Sequence, residues 1–397
     1  MQKYLRLPII ALLFLAVGCS DEFTDSSPGL SEGLGAFDAS GSSGDSSTAA
    51  GGTGSDEENN SGLITAGEWK DLENWDFWTK IQMDSVFLNL QDHWGIYVNN
   101  RISVVVQNGN KPVVNARVEL KKDTEIVWST MTDNSGKAEL WVDIFEDNNA
   151  EISDDYALYV NGEKKPERAG IYEEVGVIKL QNADQLTRDR IELAFIVDAT
   201  GSMGDELEFL KDDLRSVIEG VENENTNLDI STAAVFYRDE GDEYLIRDSD
   251  FTSDFSTTLN FIKDQSAGGG GDTPEAVHSG LSKAINDFEW TELAYTKIAF
   301  LILDAPPHHD PQVIDELKSA IKTAATKGIK IIPITASGIQ KDTELLMRQM
   351  SIATNSTYVF ITNDSGIGND HITATVGDYE VEFLNDLMIR LINQYSE

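Results

Sequence analysis

The chain has 397 residues, 40% of them hydrophobic, enough for two packed domains with tails, because single domains run to about 100–200 residues. Its 69 Asp and Glu against 30 Lys and Arg leave a formal charge of −39, which repels phosphate backbones and anionic lipid surfaces and argues against nucleic acid as a partner. The single cysteine, Cys19, leaves no disulfide framework within the chain.

Residues 1–18 have the layout of a secretory signal: Lys3 and Arg6, an apolar run from Leu7 to Val17, then Gly18. The run is too short for a spanning helix, and Ala16-Val17-Gly18-Cys19 resembles the lipobox of bacterial lipoproteins, with the usual leucine one place early at Leu15. That resemblance implies lipidation at Cys19, a mature chain beginning there, and a membrane anchor. In the sorting rule of these lipoproteins Ser20 favours the outer membrane, and Asp21-Glu22 is similar to surface-export signals, so the implied location is the cell envelope with the folded part exposed. Residues 19–62 are Ser, Gly, Asp, Glu and Thr with few large apolar side chains, too little to offset ordering entropy, and read as a disordered acidic tether.

Order is expected from Leu63. Residues 63–96 carry Trp69, Trp75 and Trp78, an aromatic density that suits a docking surface against a neighbouring domain better than an exposed binding patch. Over residues 97–183 short alternating runs at Ile102–Gln107, Val113–Leu120, Glu125–Met131, Lys137–Phe145, Tyr156–Val160 and Val175–Leu180 are divided by turn residues such as Asp133-Asn134-Ser135-Gly136. This spacing predicts a small antiparallel β-sandwich. Gly109-Asn110-Lys111-Pro112-Val113-Val114-Asn115-Ala116-Arg117-Val118, followed by Thr132-Asp133-Asn134-Ser135-Gly136, resembles carboxypeptidase regulatory-like domains with a transthyretin-like sandwich, which implies a spacer or accessory module without chemistry of its own.

From residue 190 to 397 the pattern changes. Strands are predicted at Ile191–Val197, Asp229–Tyr237, Ile298–Leu303, Ile329–Thr335 and Tyr358–Ile361, and helices at Glu206–Val221, Pro274–Phe288, Gln312–Lys327 and Val381–Tyr395. Strands that are apolar throughout, alternating with helices, indicate a doubly wound, Rossmann-like α/β domain with a mostly parallel sheet covered on both faces. The chain is therefore multidomain, with the smaller all-β unit first. In such folds ligands bind beyond the carboxyl ends of the strands, at a switch in strand order.

Three loops after strands carry oxygen donors. Asp198-Ala199-Thr200-Gly201-Ser202 follows the first strand, Asp304-Ala305-Pro306-Pro307-His308 follows another, and Gly268-Gly269-Gly270-Gly271-Asp272-Thr273-Pro274-Glu275 precedes a helix. Carboxylates and hydroxyls on tight turns suit hard cations, and suit neither thiolate-seeking nor imidazole-seeking metals. In the glycine-rich loop either Asp272 or Thr273 can be the ligand, the carboxylate being the stronger donor and the hydroxyl also placed to cap the helix. Glu275 can reach an ion through water, or sit in a first helical turn as a partner of the helix dipole.

Asp198, Thr200, Ser202, the pair Asp272 and Thr273, and Asp304 fall in the order of the metal-ion-dependent adhesion site of von Willebrand factor A domains, which this region resembles. Tyr237-Arg238-Asp239-Glu240-Gly241-Asp242 is also similar to a segment of these domains, and Asp239 is placed at the rim. The resemblance implies Mg2+, with Mn2+ or Ca2+ as alternatives, and a protein ligand whose acidic side chain completes the metal's coordination. The expected function is adhesion-type, metal-dependent protein binding without catalysis. The alternative is an assembly or chaperone-type scaffold subunit for an envelope complex. His308 and His309 read as loop residues at the site's rim, because adjacent residues point apart and no third histidine joins them, and His278 reads as a helix residue without a partner.

Overall fold

The computed structural model describes residues 62–397 except 147–154, 171–176, 185–186, 226, 272, 365, 369–370 and 397. The expected leader, Cys19, the tether before residue 62 and Asp272 lie outside the described residues.

Strand β1 (Thr65–Trp69) leads into two helices, α1 (Trp75–Ile81) and α2 (Ser85–Trp94). Then come β2 (Arg101–Asn108), β3 (Lys111–Pro112), β4 (Arg117–Lys122), β5 (Glu125–Met131), β6 (Lys137–Trp141), β7 (Tyr156–Val160), β8 (Glu163–Arg168) and β9 (Ile178–Gln181). They make two four-stranded sheets, β3-β2-β6 with β9 beside β2, and β5-β4-β7-β8. Period-two burial drives them: in β7, Tyr156, Leu158 and Val160 are buried while Ala157 and Tyr159 are half-buried. The β9–β2 pair is parallel, an exception to the antiparallel expectation. The turn at Asp133 forms as its residues dictate, with Asp133 Oδ1 accepting from the amides of Ser135 (3.0 Å) and Lys137 (2.9 Å).

The large sheet is built from β1 and β10 (Arg188–Asp198), β11 (Asp229–Tyr237), β12 (Ile246–Thr252), β13 (Ala294–Leu303), β14 (Lys330–Thr335), β15 (Tyr358–Ile361) and β16 (Val381–Phe383), in the order β12-β11-β10-β13-β14-β15-β1-β16. Strands β11, β10, β13, β14 and β15 run parallel, while β12 and β1 join antiparallel at either side. The direction of winding reverses between β10 and β13, which makes their carboxyl ends the switch point. Helices α3 (Leu207–Glu224), α4 (Phe255–Lys263) and α8 (Leu384–Ser396) lie on one face; α5 (Val277–Ser282), α6 (Pro311–Lys327) and α7 (Lys341–Ala353) lie on the other. The apolar run in the second half of β10 follows: Leu193, Phe195 and Val197 pack with the first group, and Ala194 and Ile196 with the second.

Two segments depart from the reading of the sequence. The segment 63–96 supplies a strand of the large sheet as well as packing, and Trp69, Trp75 and Trp78 are only 7%, 5% and 0% exposed. The predicted helix at Val381–Tyr395 opens instead with β16, because β1 offers Val381–Phe383 a partner, with Thr65 opposite Phe383. The small sheets pack on the α/β domain through β5 and α6, away from the switch point.

Candidate metal centre

The parallel register of β10 and β11 sets Asp198 beside Tyr237, and β13 runs along the other side of β10 with Val197 opposite Ile302. Asp198 is completely buried. Its Oδ1 accepts from the backbone N–H (2.9 Å) and hydroxyl (2.6 Å) of Thr200, and Thr200 Oγ1 lies 3.2 Å from Ser202 Oγ. One row of oxygens therefore runs from the buried Asp198 through Thr200 to the exposed Ser202, at the start of a 3-10 turn over Gly201–Asp205.

The glycine-rich loop lies alongside that turn. Gly268 N donates to Ala199 O (3.0 Å), and Gly201 N donates to Gly269 O (3.1 Å). Gly270 has φ +62°, and a Cβ there would stand 2.8 Å from Glu275 Oε1 and 3.1 Å from Thr200 Cβ, so only glycine lets the loop approach so closely. Asp242 braces it, its Oδ2 accepting from the amides of Gly270 (2.9 Å) and Asp239 (3.2 Å). Thr273 is exposed at the loop's end, and among the described contacts none ties it to the other oxygens.

Glu275 differs from the dipole-partner reading. Helix α5 begins at Val277, so Glu275 precedes it, 3% exposed, with its amide donating to Pro306 O (2.9 Å). This bond draws the third loop in. Asp304, at the end of β13, is 7% exposed.

Burial and one another's charge raise the acids of these loops. Burial pushes Asp198 up to about 6, against the pull of the Thr200 donors, with Asp239 adding to the rise. Burial and then Asp198 push Asp304 up to about 7, with Ser202 acting in the opposite direction. Burial, followed by Asp198, Asp239, Asp304 and Asp242, pushes Glu275 up to about 8. Asp198 Oδ2, Asp304 Oδ1 and Glu275 Oε2 are buried with no hydrogen-bond partner. Orphaned carboxylate oxygens beside hydroxyls fit a hard divalent cation. Among the described residues no three or more His, Cys, Asp and Glu side chains form a ready metal cage, so a cation here would draw on the hydroxyls too.

The histidines separate. His308 Nε2 lies 2.6 Å from Asp239 Oδ1 at the rim. His309 turns away, its ring stacked on His93 at 3.7 Å, which corrects its assignment to the rim. His278 is buried on α5 with Ser279 Oγ 3.2 Å from its Nε2, so it has the partner that the sequence left out. Reading the sequence gave no role to Tyr237, completely buried beside Asp198, or to Asp242. Both lie in the segment 237–242, whose resemblance to von Willebrand factor A domains marked the segment without giving either residue a role.

An open α/β sheet with carboxylates and hydroxyls gathered at its switch point defines the class. Residues 192–371 match the family model described as a von Willebrand factor A domain. Two curated proteins share part of the chain. An ariadne-like RING finger protein of Acanthamoeba polyphaga mimivirus is 32% identical over 133 residues, covering 34% of this chain and 13% of that protein. The alpha-protein kinase vwkA of Dictyostelium discoideum is 35% identical over 120 residues, covering 30% and 19%. The match thus spans less than a fifth of either relative. Among solved structures, BatB from Bacteroides thetaiotaomicron aligns with TM-score 0.35 at 14% identity, over 52% of this chain and 98% of that one. The pilus adhesin SpaC from Lactobacillus rhamnosus GG aligns with TM-score 0.35 at 12% identity, over 54% and 30%.

Proposed function

We propose that this chain is a non-catalytic, divalent-metal-dependent protein-binding protein, held at the cell surface by lipid on Cys19. The observation that carries the reading is the set of orphaned, buried oxygens of Asp198, Asp304 and Glu275 at the sheet's switch point. A divalent ion, Mg2+ before Mn2+ or Ca2+, held by Asp198, Thr200, Ser202, Asp304 and either Asp272 or Thr273, would neutralise these carboxylates and offer an acidic side chain of a partner protein a coordination position.

The chain's own residues prepare this. The Thr200 donors occupy one oxygen of Asp198 and leave the other free. Asp242 holds the glycine-rich loop against the β10 turn. Hydroxyls make up much of the donor set, so a bound cation would keep a coordination position open to a partner carboxylate. Ser202 and Thr273 are exposed, so the site opens to solvent on the side a partner would approach. The two small sheets, whose sequence is similar to carboxypeptidase regulatory-like domains, act as an accessory module.

Calorimetric titration of Mg2+, Mn2+ and Ca2+ into the metal-stripped chain, beside an Asp198→Ala, Ser202→Ala variant, tests this. One ion bound per chain and lost in the variant is expected. No binding by the intact protein, or partner capture that survives chelator, would overturn it.

A further inference from the structure

A second cavity, of about 500 Å3, opens where the small sheets meet the α/β domain, remote from the switch point. Arg117 on β4 and Met131 on β5 contribute from one side; Trp290, Leu293, Lys297 and Lys327 contribute from the other. Its volume lies within the roughly 300–1,000 Å3 usual for small-molecule sites, which favour such junctions.

Its charge runs against the rest of the molecule. In a chain of net charge −39, three cations converge on one cavity whose lining holds a single carboxylate, that of the exposed Glu292. Among the described residues none of the three forms an ion pair. Lys297, 4% exposed, reaches only the carbonyls of Thr291 (3.4 Å) and Glu292 (3.3 Å). Lys327 donates to Ile285 O at 2.7 Å. They also feel one another: burial pushes Lys297 down to about 8, and Arg117 and Lys327 both add to that fall against the pull of Glu192 and Glu292. Cations packed at a structural joint without ion-pair partners are costly unless an anion joins them. The apolar part of the lining is Met131, Leu293 and Trp290, the last 9% exposed.

We propose that this cavity binds a small amphipathic organic anion. Its acidic headgroup sits among Arg117, Lys297 and Lys327, and its aromatic or aliphatic body lies against Trp290, Met131 and Leu293. The ligand would bridge the small sheets and the α/β domain, because Arg117 and Met131 belong to the former and the remaining groups to the latter.

The full chain titrated with anilinonaphthalene sulfonate, read by the probe's fluorescence and by calorimetry, tests the proposal, with inorganic sulfate as a headgroup-only competitor. Saturable binding of one probe per chain is expected, with sulfate displacing it only at much higher concentration. Arg117→Gln with Lys327→Gln, both half-buried and so tolerant of change, should weaken binding at least about tenfold at an unchanged unfolding midpoint. Lys297→Met alone should do the same. Absence of saturable binding, equal affinity in both variants, or displacement by sulfate at equal concentration would each overturn the proposal.

Discussion

Buried charge is treated in opposite ways in two regions of this molecule. Where the segment after β1 is clamped onto α7, the set is closed. Arg348 donates from Nε and Nη2 to the two oxygens of Asp71 (2.9 and 2.5 Å) and from Nη1 to Thr375 O (2.6 Å). Nearby, Arg101 makes the same two-pronged pair with Glu139 at 2.8 Å for each bond and donates to Leu72 O. At the carboxyl ends of β10 and β13 and in the loop before α5, by contrast, Asp198, Asp304 and Glu275 each keep one buried oxygen without a hydrogen-bond partner, and the charges of Asp198 and Asp304 act on Glu275. A structural charge survives burial when its lone pairs and protons are all used. The metal-dependent binding proposed for the switch point rests on that difference.

The sharpest way to break this comparison is to open the closed set. Arg348→Met leaves Asp71 buried and uncompensated and should cost about 3–5 kcal/mol in denaturant unfolding. Adding Asp71→Asn, which retains the acceptor for Trp69 Nε1, should recover much of it. A single variant as stable as the parent would show that the pair is not structural.

The open set should respond to pH instead. Asp198, Asp304 and Glu275 hold protons in the fold up to about 6, 7 and 8, above ordinary carboxyl values near 4. The folded state therefore binds more protons than the unfolded chain between those limits. The metal-free protein should be favoured at low pH and lose stability as pH rises from about 4 to 8, by a few kcal/mol for each group, at about 1.4 kcal/mol for each pH unit between its ordinary and its raised value. Thermal unfolding in chelator across that range measures it, and Glu275→Gln should flatten the upper part of the slope. Mg2+ affinity should move the other way, rising from pH 6 to pH 8, because a cation requires the deprotonated carboxylates.

A smaller effect is expected at the exposed end of the oxygen row. Ser202→Ala should weaken Mg2+ binding roughly tenfold, the order of one lost ligand bond, while leaving the unfolding midpoint in chelator unchanged. The smallest effect belongs to the surface pair of Arg390 with Glu68 and Glu382: with Arg390 side chain 41% exposed, Arg390→Gln should cost less than about 1 kcal/mol in the same unfolding assay.

Much of this was legible in the residues. The run from Ile191 to Val197 reads as a strand buried on both faces because every position but Glu192 is apolar, and Asp198, Thr200 and Ser202 stand out because alternate oxygen donors on a turn are a local pattern. Asp304 was found by the same rule, as an acid just after a strand. Glu275 was harder, since its fate turns on a backbone bond to Pro306, more than thirty positions away by its number, and no helical period announces that α5 begins two residues later. The small strand β16 was read as helix because its apolar residues also suit the amphipathic period of the helix it adjoins.

By itself the sequence determined two kinds of element, an alternating all-β stretch followed by an α/β alternation, and a turn lined with hard oxygens, because periodicity and turn chemistry act within a few residues. Only the tertiary structure decided that Thr65–Trp69 crosses the whole intervening small-sheet unit to pair with Tyr358–Ile361, that Tyr237 stands beside Asp198, and that the charges of Asp198 and Asp304 act on the buried Glu275. Strand pairing and charge desolvation depend on which distant surfaces meet, and a chain's local patterns do not encode that meeting one residue at a time.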